Sequence, residues 1–193
     1  MKNGRIKEEM MKEIEKEVKI CKKCDLYKGR KNVVFGYGNL NSKIIFIGEA
    51  PGKNEDETGI PFCGKAGKIL NRLLKSISVK RENIYITSVL KCRPPKNRKP
   101  KKIEIENCGI YLKKQIEIIN PEIICCLGDV SLKFIFKNFS IDEKDKISKV
   151  HGKIIKANNK KIFTTFHPAY AIYNPKIIKL MEEDFKKLKG LIC

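Results

Sequence analysis

The chain has 193 residues, a formal net charge of +20 at pH 7 and a pI of about 9.6. This length is sufficient for one hydrophobic core, and we expect residues 1–193 to form a single domain. The sequence contains neither a secretory signal nor the ~20 consecutive apolar residues of a membrane span, so we expect no membrane partner and a cytoplasmic, nucleoid-associated protein.

Apolar side chains recur at helical spacing in five segments of the chain. The predicted helices are 5–18, 65–77, 103–119, 129–138 and a last helix that Asn174 caps and Pro175 begins. Short runs of apolar and β-branched residues predict buried strands. These strands are 43–48, 83–90, 122–128 and 161–166. Because strands alternate with helices, the pattern favours an α/β fold with a parallel sheet covered on both faces.

Three unusual segments follow the carboxyl ends of predicted strands. They are the Gly/Pro/acidic segment 48–67, the basic segment 91–102 and the segment 166–175. Ligands of open parallel sheets bind at this edge, so the sequence predicts a functional site there. The lysine excess indicates a polyanion such as nucleic acid, because neutralised phosphates release counterions. A general lysine bias of the genome remains an alternative explanation for the charge.

Four of the eight cysteines lie in polar segments. They are Cys21, Cys24, Cys92 and Cys108. Intracellular thiols stay reduced, so this set predicts a zinc ion or an iron–sulfur cluster, which the spacing alone does not distinguish. Alternatively, Cys92 and Cys108 are ordinary buried thiols and the C-x-x-C pair is a redox couple. At least one of Cys125 and Cys126, which lie in a predicted strand, should belong to the core.

Taken together, these motifs resemble those of the family 4 uracil-DNA glycosylases, the iron–sulfur branch of thermophilic archaea and bacteria. The matching segments are C-x2-C at 21–24, GEAPGxxED at 48–56, TGxPFxGxAG at 58–67, KCRPPxNR at 91–98, Cys108, CLG at 126–128 and HPAY with NP at 167–175. The resemblance implies a three-layer α/β/α sandwich with a four-stranded parallel sheet. It also implies a [4Fe–4S] cluster on the four cysteines named above.

The activity implied by the resemblance is removal of uracil from single- and double-stranded DNA, and we expect a monomeric enzyme. A glycosylase extrudes its target base from the stack. By resemblance, the ring of Phe62 stacks on that base, while the backbone of Gly48, Glu49 and Ala50 contacts uracil. Ser88 stands where the family usually has an asparagine that reads the uracil edge.

One hydroxyl at Ser88 replaces the paired donor and acceptor of an amide. Three consequences are open: a broader base range that includes deaminated purines, slower removal of uracil, or a water that fills the gap and preserves selectivity. His167 would donate to a base carbonyl as negative charge develops on the base. Glu55 would stabilise the cationic sugar or position water, with Asp56 as the rival acid.

The same comparison of motifs gives candidate DNA contacts. The basic loop would bind phosphates through Arg93, Lys96 and Arg98, while Ile172 and Tyr173 would enter the space that the base leaves. No lysine nucleophile is evident, so hydrolysis without strand cleavage is expected. Two other functions fit parts of the pattern: a non-catalytic DNA-binding iron–sulfur protein and an electron-transfer protein. The presence of Glu55, Phe62 and His167 together favours the enzyme.

Overall fold

The computed structural model describes residues 2–142 and 145–192, whose strands form one mixed sheet. The strands are β1 (Tyr37–Gly38), β2 (Ile44–Gly48), β3 (Tyr85–Ser88), β4 (Ile123–Leu127), β5 (Ile154–Ala157) and β6 (Lys160–Thr165). The helices are α1 (Lys2–Lys19), α2 (Lys53–Thr58), α3 (Lys65–Ser76), α4 (Lys102–Ile119), α5 (Asp129–Asn138), α6 (Ile147–Val150), α7 (Pro168–Tyr173) and α8 (Lys176–Ile192).

The sheet has the order β1-β3-β2-β4-β6-β5, and its four central strands are parallel. This confirms the predicted parallel sheet. The antiparallel edge strands β1 and β5 were not predicted. They lack the continuous apolar run of a central strand: β1 has two residues, and the side chains of β5 alternate between exposed and half-buried.

Helices cover both faces of the sheet. The parallel register pairs Phe46 with Ile86 and Ile47 with Thr87, so Phe46 and Thr87 point to opposite faces. Phe46 stacks on Phe185 of α8, with ring centroids 6.1 Å apart. On the other face, the Thr87 hydroxyl lies 3.3 Å from Gln115 Oε1 of α4. The expected α/β/α layering is therefore present.

Three short helices, α2, α6 and α7, were not predicted. Helices α2 and α7 lie in segments that we expected to be loops, because six residues flanked by glycine or proline show no helical period. Asn174 closes α7 instead of capping the last helix, which begins at Lys176. Among the helices of the described ranges, none has both the length and the apolar character needed to cross a bilayer.

The packing of α8 on the sheet gives a stability prediction. Replacing the fully buried Phe185 with alanine should lower the free energy of unfolding by about 3–5 kcal/mol, because it leaves a cavity beneath Phe46. Lys186→Ala is the matched control, since this neighbouring side chain is exposed and its loss should cost less than ~0.5 kcal/mol. Urea unfolding measures both, and equal stabilities would contradict the packing described.

Candidate functional site

A cavity of about 420 Å³ opens at the carboxyl edge of the parallel strands. Eight of the side chains singled out in the sequence line it: Glu49, Ala50, Glu55, Phe62, Ser88, Arg98, His167 and Tyr173. They come from the last residue of β3 and from the segments that follow β2, β3 and β6, so the predicted convergence at one edge occurs. Gly48 lies behind the wall, where a Cβ would stand 2.7 Å from Phe62 Cζ and 3.1 Å from Ser88 Oγ.

The ring of Phe62 forms one wall of this cavity. It is 6% exposed, and its centroid lies 5.7 Å from that of the His167 ring. Its edge packs against Gly48, where a larger residue would collide with it. The backbone of Phe62 is left-handed, with φ of 51°. Phe62 is therefore held at the sheet edge in a backbone conformation that residues other than glycine rarely adopt.

The Glu55 carboxylate is fixed by backbone amides on both of its oxygens. Oε2 accepts from the Gly52 N–H at 3.1 Å and Oε1 from the Gly64 N–H at 2.8 Å. These bonds join the start of α2 to the start of α3. The rival acid Asp56 is buried outside the cavity lining, and its Oδ1 accepts from the Lys31 N–H at 3.0 Å. Only Glu55 of this pair lines the cavity.

His167 presents a neutral ring. It is the N-cap residue of α7, where Nδ1 accepts from the Ala169 N–H at 3.1 Å. Since Nδ1 is the acceptor, the proton of the neutral ring lies on Nε2. Burial lowers the pKa of His167 to about 4, although the nearby Glu55 charge opposes this shift. The ring is therefore an uncharged donor at neutral pH.

Two polar side chains of the lining add features that the motifs did not reveal. The Glu49 side chain is half-buried in the cavity wall, although the sequence drew attention only to its backbone. Burial raises the pKa of Glu49, the positive charge of Lys99 opposes this and Asp129 adds to it. Ser88 is buried beside Gly48 at the end of β3 and lines the cavity. Ser88 pairs directly with Gly48 between β2 and β3, and this pairing could not be read from the sequence because it depends on the strand register.

The basic loop is held from within by an ion pair. Arg98 donates to both oxygens of the buried Glu104, from Nη1 to Oε2 at 2.9 Å and from Nη2 to Oε1 at 2.5 Å. The Arg98 guanidinium lowers the pKa of Glu104. Arg93 donates from Nε to Asn97 Oδ1 at 2.7 Å, and Lys96 is exposed at the turn between them. Arg98 thus supports the loop as well as lining the cavity.

Helix α7 carries Ile172 and Tyr173, the two side chains predicted to enter the space that the base leaves. Tyr173 is 86% exposed. Ile172 is half-buried and lies outside the cavity lining. The tyrosine is therefore the more accessible of the two side chains.

The four cysteines of the polar segments line a second, much smaller cavity beneath α1 and α4, together with apolar side chains such as Val18 and Leu26. Two of the sulfurs accept hydrogen bonds: Cys108 Sγ from the Lys91 N–H at 3.2 Å and Cys92 Sγ from Arg30 Nη1 at 3.4 Å. Burial raises the pKa of Cys108 to about 12, against the opposing charge of Lys91.

These cysteines fit an iron–sulfur cluster by chemistry. Four sulfur donors facing one apolar cavity, with N–H groups directed at sulfur, are the usual environment of such a group. Within residues 2–142 and 145–192, no three Cys, His, Asp or Glu side chains are arranged to hold a single metal ion. Cys125 and Cys126 are completely buried in β4, as expected for core residues.

A buried lysine lies between the two cavities. The ammonium of Lys91 donates to Thr87 Oγ1 at 2.6 Å, to the Ser88 carbonyl at 2.8 Å and to Gln115 Oε1 at 2.6 Å. Burial lowers the pKa of Lys91 to about 7. The sequence placed Lys91 only within a basic run and did not predict this role.

Comparison with known proteins places these features in a family. The model of the uracil DNA glycosylase superfamily matches residues 35–189. A type-4 uracil-DNA glycosylase of Archaeoglobus fulgidus is 46% identical over 189 residues, 96% of this chain and 94% of the relative. The enzyme of the same description from Saccharolobus solfataricus is 49% identical, over 90% of this chain and 82% of its own. That of Thermotoga maritima is 44% identical over 96% of both chains.

The neutral state of His167 is directly testable. With a pKa near 4 instead of 6.5, the ring should stay uncharged, with its proton on Nε2, down to pH 5.5. The unfolded chain takes up this proton below about pH 6.5, so His167 should also make the protein less stable as the pH falls from 6.5 towards 4. Proton–nitrogen correlation spectra of histidine-labelled protein measure the titration, with His167→Asn for assignment. A titration midpoint of His167 near pH 6.5 would contradict the burial described.

Proposed function

The chain belongs to the uracil DNA glycosylase superfamily, and on that premise we propose that it is a type-4 enzyme that hydrolyses the N-glycosidic bond of uracil in DNA. The product is DNA with an abasic site. The observation that carries the proposal is the meeting of Phe62, Glu55 and His167 around one cavity at the sheet edge. An aromatic surface can stack on an extruded base, a neutral donor can stabilise negative charge on that base, and a fixed carboxylate can stabilise the cationic sugar.

Stacking on Phe62 holds the extruded base in the cavity. A base–aromatic contact contributes about 1–3 kcal/mol, and it needs a ring that does not have to be reoriented when the base arrives. Phe62 meets this requirement, because its edge lies against Gly48 and its ring centroid is 5.7 Å from that of His167. The ring therefore offers a fixed platform.

His167 and Glu55 act on opposite charges of the transition state. As the bond breaks, its electron pair moves to the base, and the Nε2–H of His167 donates to the base oxygen on which negative charge accumulates. Positive charge develops on the sugar, where the Glu55 carboxylate stabilises it and orients the water that adds to the sugar carbon. Because amides already hold both oxygens of Glu55, this carboxylate acts from a fixed position.

The base edge is read at the ends of β2 and β3. The carbonyls of Gly48 and Glu49 already accept from the amides of Val89 and Leu90, each at 3.0 Å. The amides of Glu49 and Ala50 are then the backbone donors for uracil, and the Ser88 hydroxyl supplies one further group. This arrangement reads uracil with fewer side-chain contacts than an amide at position 88 would give.

DNA is held around the mouth of the cavity in both its single- and double-stranded forms. Arg93 and Lys96 bind phosphates from the basic loop, with Arg98 fixing that loop through Glu104. Tyr173 and Ile172 of α7 fill the space vacated by the base. The strong positive charge favours this binding at low salt.

Excision of uracil tests the proposal. Purified protein should release uracil from an oligonucleotide with one deoxyuridine and leave an alkali-sensitive abasic site. His167→Asn should lower the single-turnover rate by about 10²–10³-fold, the usual cost of removing one donor to a developing anion. His151→Asn, the other histidine of the chain, lies outside the cavity lining and should change the rate per folded molecule less than about threefold. The folded fraction is measured alongside, because His151 Nδ1 lies 3.0 Å from Oδ1 of the buried Asp184. A wild-type protein inert towards uracil would refute the proposed function.

A [4Fe–4S] cluster on Cys21, Cys24, Cys92 and Cys108 completes the proposal. These cysteines would hold the group between the basic loop at Cys92 and the segment that follows α1. The chain's own contribution is the two N–H···S hydrogen bonds and an apolar wall that limits the access of water to the sulfurs. Fixing Cys92 in this way would place the neighbouring Arg93 and Lys96 for DNA binding.

The cluster has a chemical test independent of activity. Protein purified without oxygen should contain about four irons and four sulfides per chain, the content of one such cluster. Cys108→Ser should lose most of this iron. Cys63→Ser is the control, because Cys63 contacts Thr58 in the segment before α3 and lies away from the small cavity. Stoichiometric zinc in place of iron would refute the assignment.

A further inference from the structure

Arg81 is half-buried in the turn before β3 and lies outside the cavity lining. Its Nη1 donates to the Phe62 carbonyl at 3.0 Å and to Asn71 Oδ1 at 2.8 Å, and its Nη2 donates to the Pro61 carbonyl. None of the ion pairs formed by the described part of the chain includes Arg81. The guanidinium is therefore directed at two successive backbone carbonyls.

The segment that Arg81 holds is conformationally unfavourable. The left-handed φ of 51° at Phe62 is disfavoured for any residue with a Cβ. On its far side, the Phe62 carbonyl is packed so closely against Gly67 that a Cβ there would stand 1.7 Å from the oxygen. The carbonyl thus lies between the backbone of α3 and the guanidinium.

We propose that Arg81 is a positioning residue for base stacking, whose guanidinium fork holds the Pro61 and Phe62 carbonyls so that the Phe62 ring faces the extruded base. A planar fork suits this task, because two N–H groups reach two acceptors in one fixed geometry. The Arg81 side chain acts through Phe62 and does not touch the base. The inference rests on the proposed function, since it requires Phe62 to be the stacking surface.

A double-mutant cycle on uracil excision tests the link. Arg81→Gln should lower kcat/KM on a single-stranded oligonucleotide with one deoxyuridine by about tenfold, within the range that weakened base stacking allows. In a Phe62→Leu background the same substitution should matter less than about twofold, because no ring remains to be positioned. Equal losses in the two backgrounds would overturn the inference.

Binding measurements separate positioning from general damage. Arg81→Gln should raise the inhibition constant of free uracil by about the same factor as the loss in kcat/KM, whereas affinity for abasic-site DNA, which offers no base to stack, should not change. Arg81→Lys should give an intermediate loss, because an ammonium lacks the fork, and it serves if the glutamine variant folds poorly. Unchanged inhibition by uracil in both Arg81 variants would contradict the inference.

Arg72→Gln is the matched control for lost charge. Arg72 lies on α3 and pairs with Glu182 at 2.8 Å on the exposed surface, so its loss should change kcat/KM less than about twofold. A loss as large as that of Arg81→Gln would overturn the inference. An inert wild-type protein would refute the proposed function together with this inference. An active wild type with independent effects of Arg81 and Phe62 would refute the inference alone.

Discussion

The ammonium of Lys91 lies in the core without exposed surface and donates to acceptors on β3 and α4. Gln115 and Thr87, two of its partners, also donate to the Phe35 carbonyl, so the network reaches the segment before β1. The amide of the same lysine donates to Cys108. A buried amine is tolerated only when its donors are satisfied, and these bonds therefore fix the end of β3 relative to α4 and Cys108.

This constraint explains why the site can combine apolar walls with polar groups in set positions. The Ser88 carbonyl is held by Lys91, while the Glu55 carboxylate and the His167 ring are each held by backbone amides. None of these groups has to reorganise when a base enters. Electrostatic stabilisation is strongest from groups that are already oriented in a site with little water. The backbone thus determines where the charged and polar groups of the cavity are placed.

Much of this architecture could be predicted from residue patterns. The continuous apolar runs of β2 and β4 predicted strands, and the helical spacing of apolar residues in α3 and α4 predicted helices. The carboxyl-edge rule brought His167 and Glu55 together correctly. The patterns failed where tertiary contacts decide: β5 depends on pairing with β6, and the short α7 on the cap that His167 provides. The bonds of Lys91 and Arg81 to backbone carbonyls leave no signature in the sequence, because a carbonyl belongs to every residue.

The position of the Phe62 ring has a consequence for how this chain can vary over generations. Glycine is required on both of its sides, at position 48 beneath the ring edge and at position 67 against the carbonyl, since any larger residue would occupy space already filled. Substitutions at positions 48 and 67 should therefore be rare among functional variants of this chain. We expect divergence in base preference to arise instead at exposed positions of the cavity lining such as Tyr173, where a change of side chain leaves the Phe62 ring in place.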